Sequence, residues 1–131
     1  MAAISNRELA ERVAGQTIPL RFLDTLRARP DAVALRFRDG EAARSLTFAD
    51  YADRAGRVAG GLAELGVVRG RRVVLLMRNR PEFHEADLGV LLAGGTPISI
   101  YNSSSPEQIR YLVGHCRAEL AIVEEIGRAH V

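Results

Sequence analysis

His84-Glu85-Ala86-Asp87-Leu88 opens like the helix of a zinc protease, in which two histidines four residues apart share a helix face and the intervening glutamate acts as base. Leu88 stands where the second histidine is required, and one histidine does not make a zinc site. Gly89-Val90-Leu91-Leu92-Ala93-Gly94-Gly95-Thr96 has the glycine and threonine spacing of a phosphate-binding loop, but Gly95 occupies the lysine position. Its intervening residues are apolar and helical and follow a helix, so successive backbone N–H groups cannot converge on a phosphate. A buried helix ending in glycine is the better reading. His115 and Cys116 are adjacent, so a helix turns them about 100° apart and prevents a direct pairing of nucleophile and base. A packing role is expected for both, and no Gly-x-Ser-x-Gly nucleophile elbow occurs.

Two polar clusters remain. Arg69, Arg71, Arg72, Arg78 and Arg80 flank one apolar run and could form a phosphate-binding patch. Glu82, Glu85 and Asp87 compensate them and no aromatic residues are interleaved, so a solvated sheet end is expected and no nucleic-acid partner. Asn102-Ser103-Ser104-Ser105 lies where a strand runs into a helix start, the place where α/β proteins commonly receive ligands and where free N–H groups favour anions. The competing reading is that Ser105 caps the helix and its neighbours form the turn. The residues thus nominate no catalytic, cofactor-binding or metal-ligating side chain.

The composition narrows the classes further. The chain has 131 residues, 47% hydrophobic and 26% charged, which fits one globular unit with a single core. All 18 basic residues are arginine, so Schiff-base chemistry and a phosphate-loop lysine have no amine to use. The net charge is only +2. A lone cysteine offers no internal disulfide and no structural zinc site. The N-terminus lacks a signal-peptide layout, and the longest apolar tract, Leu88 to Ile100, is broken by Gly94, Gly95 and Pro97. A cytoplasmic location with no transmembrane segment is therefore expected.

Periodicity supplies the elements. Ser5 to Ala14 predicts a short exposed helix ended by Gly15, and Thr17 with Pro19 opens a second whose face is Phe22, Leu23 and Leu26. Alternation from Val33 to Arg38, the Asp39-Gly40 turn and the return over Ala43 to Leu46 predict a hairpin. Thr47 and Asp50 make a capping box for a long helix with Tyr51, Ala55, Val58, Ala59, Leu62 and Leu65 on its core face and Gly66 as its cap. Arg72 to Met77 reads as a strand covered on both faces, and Pro81 opens a helix closed by Gly94-Gly95. A strand over Pro97 to Tyr101, a helix capped by Ser105 and running to Cys116, and a strand over Leu120 to Val123 complete the order. Strand, helix, strand, helix, strand with short connections implies an α/β fold with a mostly parallel sheet and crossover helices.

Several of these segments in sequence resemble the N-terminal part of the adenylate-forming (AMP-binding) superfamily, the acyl-CoA synthetases, luciferases and peptide-synthetase adenylation domains. They are Pro30-Asp31-Ala32-Val33-Ala34-Leu35, Leu46-Thr47-Phe48-Ala49-Asp50, Gly61-Leu62-Ala63-Glu64-Leu65-Gly66-Val67, Gly70 through Val73-Val74-Leu75, Asn79-Arg80-Pro81-Glu82-Phe83 and Leu92-Ala93-Gly94-Gly95-Thr96-Pro97, followed by the closing helix and strand. Pro97 to Ile109 looks most like the long-chain fatty acyl-CoA synthetase branch. The resemblance implies a partial ligase domain over 17–124 after a helical extension over 1–16. It implies ATP attack by a fatty-acid carboxylate to give an acyl-adenylate, magnesium assistance, and transfer to CoA, with peripheral membrane association compatible with that substrate. It also places the phosphate loop, nucleotide contacts, magnesium-binding glutamate and catalytic lysine outside the matched segments, so no family catalytic residue carries onto a position here and the chain is expected to be inactive alone. A non-catalytic binding or regulatory module on the same scaffold is the alternative. Residues 125–131 equal the translation of GAGATCGGAAGAGCACACGTC, a sequencing-adaptor string, and are expected to be a non-native tail.

Overall fold

A computed structural model describes residues 3–124, so the tail expected over 125–131 lies outside the described residues. Two helices come first, α1 (Asn6–Val13) and α2 (Ile18–Ala28). Ser5 and Glu8 form a reciprocal capping box on α1, none of whose residues is buried. Thr17 caps α2 by accepting from the Leu20 N–H, with Pro19 in the first turn where its missing donor costs nothing. Strands β1 (Val33–Asp39) and β2 (Ala42–Thr47) form the expected antiparallel hairpin, with Gly40 in the left-handed region at φ 63°. Helix α3 (Phe48–Glu64) starts on the Thr47 and Asp50 capping box. Its start is tied to the entry of the hairpin by the Phe48 and Ala49 N–H groups, which donate to the Ala32 and Pro30 carbonyls at 3.0 Å.

The rest is the parallel unit: β3 (Arg72–Leu76), α4 (Pro81–Leu92), β4 (Thr96–Ser99), α5 (Pro106–Cys116) and β5 (Leu120–Val123). Strand order is β4-β3-β5, all parallel, with Val73 opposite both Pro97 and Leu120. The α/β reading therefore holds. The central strand explains its own sequence, because Val73, Val74 and Leu75 are all buried, as a continuous apolar run with material on both faces demands. Leu62 of α3, Val67, Ala86 and Val90 of α4, and Val73 and Leu75 form the core, with Val58, Phe83, Leu120 and Ile122 packed around it. Aromatic contacts dock α2 on α3: Phe22 lies edge-on to Tyr51 at 5.3 Å between ring centroids and 6.2 Å from Phe48.

Some boundaries shift for identifiable reasons. Leu65 belongs by spacing to the core face of α3 but is the C-cap residue and 69% exposed, because the chain leaves the helix there and Gly66 turns it at φ 89°. Met77 lies beyond β3, and β4 occupies Thr96–Ser99 in place of the expected Pro97 to Tyr101, because its ladder to β3 ends at the Leu75–Ser99 pair while Leu76 pairs with Val123 of β5. Helix α5 ends on Arg117, a non-glycine residue in the left-handed region at φ 56°.

Helices α3 and α4 approach closely at Gly89, where an added Cβ would lie 2.6 Å from Val58 Cγ1 and 3.1 Å from the Ala55 carbonyl. The stiff Val58 side chain cannot swing away, so Gly89→Ala should destabilise the chain by about 1–3 kcal/mol despite the better helix propensity of alanine. Gly60→Ala, facing open space on the same pair of helices, should be stabilising by about 0.4–1 kcal/mol. Urea midpoints of the two variants against the parent measure both signs.

Candidate functional site

The carboxyl ends of three parallel strands meet at one edge of the sheet, and β3 is where the strand order reverses. The chain leaves it to one side for α4 and β4, then returns on the other side as β5. In open α/β sheets such a switch point, outside the carboxyl ends of the strands, is where ligands bind. Here Arg78, Asn79 and Arg80 follow β3, Tyr101 to Ser104 follow β4, and Glu124 follows β5.

An internal ion cluster bridges the β3 and β5 ends. The Glu124 N–H extends the ladder by donating to the Leu76 carbonyl at 3.2 Å, which points its carboxylate at the next loop. Glu124 Oε2 accepts the Arg78 backbone N–H at 2.9 Å, and Oε1 accepts the Arg78 guanidinium at 2.5 Å and Arg80 at 2.9 Å. Arg80 also holds Glu82 at 2.7 Å. The Glu124 side chain is only 5% exposed. Its hydrogen bonds to the Arg78 guanidinium and backbone N–H hold its pKa down at about 2 against the opposing effect of burial. Arg80 is pushed upward, first by its hydrogen bond to Glu82 and then by that to Glu124.

Beside this cluster, Met77, Asn79, Phe83, Ser99, Ile100, Tyr101 and Asn102 line a groove of about 450 Å³. Asn102 thus reaches the edge groove, whereas the Ser105 side chain is engaged at the start of α5. Ser105 Oγ accepts from the Gln108 N–H and Gln108 Oε1 accepts from the Ser105 N–H at 2.8 Å, so the capping reading of that serine is correct. The arginines flanking β3 do not form one patch. Arg71 pairs with Glu119 and Arg72 donates to the Cys116 carbonyl at the amino end of the sheet, while Arg78 and Arg80 serve the carboxyl end. Of the three carboxylates expected to compensate them, Glu82 does so; Glu85 is buried and meets Arg54 of α3 at 3.3 Å. Asp87 is in no ion pair among the described residues, and burial raises its pKa.

The other chemistry-bearing groups are occupied structurally. His84 lies edge-on to Phe83, and its carbonyl accepts the Tyr51 hydroxyl at 3.0 Å, whose pKa burial raises to about 12. His115 stacks on Tyr111 at 5.5 Å, and the Cys116 thiol donates to the Val113 carbonyl. No group of three His, Cys, Asp or Glu side chains suited to a metal occurs among the described residues. Sequence reasoning missed the Glu124 clamp because its partners lie 46 and 44 residues away and only the parallel register of β3 and β5 brings them together.

Residues 22–131 match the AMP-binding enzyme family, and the chain belongs to it. It is 44% identical over 96 residues to the uncharacterized protein Rv1549 of Mycobacterium tuberculosis, covering 73% of this chain and 54% of that protein. It is 32% identical over 108 residues to the long-chain-fatty-acid–CoA ligase ACSBG2 of Xenopus laevis, covering 82% of this chain and 15% of that enzyme. The anthranilate CoA ligase AuaEII, crystallised with anthranoyl-AMP, superposes with a TM-score of 0.75 at 27% identity over 82% of this chain and 20% of that one. The chain therefore spans about half of the mycobacterial relative and a small part of the ligases.

The clamp makes a signed prediction. Because the folded carboxyl is depressed below its ordinary 4.5, the stability it contributes is present above that value and lost as pH falls toward about 2. The Glu124 carboxyl resonance should titrate at about 2, and Glu124→Gln should lower stability near neutrality while flattening its fall on acidification.

Proposed function

We propose that this chain supplies the N-terminal α/β scaffold of a long-chain fatty acid–CoA ligase, spanning residues 17–124 after a helical extension over 1–16. The observation that carries the reading is the 32% identity over 108 residues to ACSBG2. The overall reaction would be carboxylate plus ATP giving acyl-adenylate and pyrophosphate, then thioester formation with release of AMP. The role of the residues present is to build the sheet edge: β3 fixes the switch point, and the Glu124 clamp holds the β3–α4 loop against the end of β5. The described residues hold no cluster of three His, Cys, Asp or Glu side chains and the sequence no lysine, and no step of the chemistry is assigned to them. A cytoplasmic location with peripheral membrane contact suits the proposed substrate, and no described helix is long and apolar enough to cross a membrane.

A second reading within the family is a ligase for an aromatic carboxylate, favoured by the likeness to AuaEII. The non-catalytic binding or regulatory module stays the alternative from another class.

Carboxylate-dependent exchange of pyrophosphate into ATP by the purified chain should be undetectable with both palmitate and anthranilate, and turnover with either would overturn the inactive-scaffold assignment. Sequencing the source gene across the codons for Glu124 and Glu125 then decides what to express. If the reading frame continues into a ligase, its product should form palmitoyl-CoA. Thioester formation with anthranilate but not with fatty acids would move the assignment to the aryl branch.

A further inference from the structure

The chain has three asparagines, and the fold treats them differently. Asn6 is the first residue of α1, where a helical backbone fixes the amide that follows it. Asn79 precedes Arg80, a bulky residue whose guanidinium is held by Glu82 and Glu124. Asn102 combines three properties: it is exposed, it is followed by the small residue Ser103, and it lies in a turn between β4 and α5.

That turn is closed by the Ser104 N–H, which donates to the Tyr101 carbonyl at 3.0 Å and makes Asn102 and Ser103 the two central residues. The closing bond uses the Ser104 amide and not the Ser103 amide. The anchors lie on either side of the turn. Ile100 is buried and its N–H donates to the Leu75 carbonyl at 2.9 Å, and Ser105 is held by its reciprocal bonds with Gln108. Between them the Tyr101 ring is 85% exposed and does not pin the backbone. An asparagine side chain closes a five-membered ring with the next backbone nitrogen where that nitrogen is accessible, its own side chain is small and the backbone can swing. A helix withholds the last condition, and a bulky or branched neighbour the first.

We propose that Asn102 is a site of spontaneous deamidation, which places a negative charge on the edge groove. The Ser103 nitrogen attacks Asn102 Cγ, the N–Cγ bond forms, the Cγ–Nδ2 bond breaks, and ammonia leaves with the proton given up by the attacking amide. Water then opens the succinimide at either carbonyl to aspartate or isoaspartate. In sum one water is consumed, one ammonia is released and nothing is oxidised or reduced. Every residue that lines the groove is uncharged, so the product carboxylate is the first charge in its wall, three residues before the cap of α5. The site does not rest on the ligase reading.

The test is incubation of the whole chain in heavy-oxygen water at neutral and mildly alkaline pH, with peptide mapping by mass spectrometry and an isoaspartate assay. Conversion at Asn102 should exceed that at Asn6 and Asn79 by about tenfold or more, because only there are all three conditions met. It should yield both aspartate and isoaspartate carrying one heavy oxygen, and it should quicken as pH rises, because the attacking nitrogen reacts as its anion. The rate should lie within about fivefold of that in a synthetic peptide of residues 99–107, as a turn that opens without global unfolding requires. Ser103→Val should slow conversion by about tenfold, since a branched side chain shields the nitrogen, and Ser103→Gly should quicken it. Thermal midpoints show that both variants are folded. Conversion spread evenly over the three asparagines, aspartate without isoaspartate, a folded-chain rate below the stated range, or indifference to Ser103→Val would overturn the proposal.

Discussion

Burial of β3 on both faces is the constraint from which the rest of this molecule follows. Val73 and Leu75 point into the core built by α3 and α4, and Val74, directed to the other face, is buried as well. A strand so placed can satisfy its backbone only by pairing on both edges, which it does with β4 and β5. The crossover helices, the Gly89 contact between α3 and α4 and the position of the switch point are consequences of covering that one strand. Among the described strands the order also reverses at its carboxyl end, so the geometry that stabilises the fold creates the edge groove.

The elements were legible where one physical signal dominated. The Thr47–Asp50 capping box and the Ser105 cap, each with a partner three residues on, form as expected, and Ser5 with Glu8 makes a further box of the same spacing that was not anticipated from the sequence. The hairpin and the buried run of β3 follow from alternation and from continuous apolarity. Boundaries slipped at Leu65 and at the end of β4, where leaving an element is decided by a neighbour's position and not by the residue's own character. The arginine cluster was the least legible feature. A count of nearby carboxylates pairs Arg78 and Arg80 with Glu82, Glu85 and Asp87, whereas the fold gives Glu85 to Arg54 and brings in Glu124 from the far end of the chain. Charge balance is a property of sequence, but the choice of partner is one of topology.

Arginine suits the roles it fills here. Arg78 brings two guanidinium donors to Glu124 Oε1, where Arg80 also donates, while Oε2 accepts the Arg78 backbone N–H; Arg80 in turn meets both oxygens of Glu82, so one planar fork serves two carboxylates. A lysine would bring a point charge to the same place without fixing the angle between the loop and β5. The clamp thereby fixes where the loop that follows β3 begins.

The order of elements along the chain also has a consequence for how the fold is reached during synthesis. Helix α3 precedes β3, so Val58 and Leu62 are available to shelter one face of the strand as it leaves the ribosome. The opposite face and both edges wait for β4, α5 and β5, all made later. For that interval the most apolar strand of the molecule is a one-sided, unpaired ribbon, the kind of nascent surface that chaperones recognise. Among the described strands β5 is made after β3 and β4, so the ionic latch at Glu124 can set only once β5 has been threaded into register beside β3.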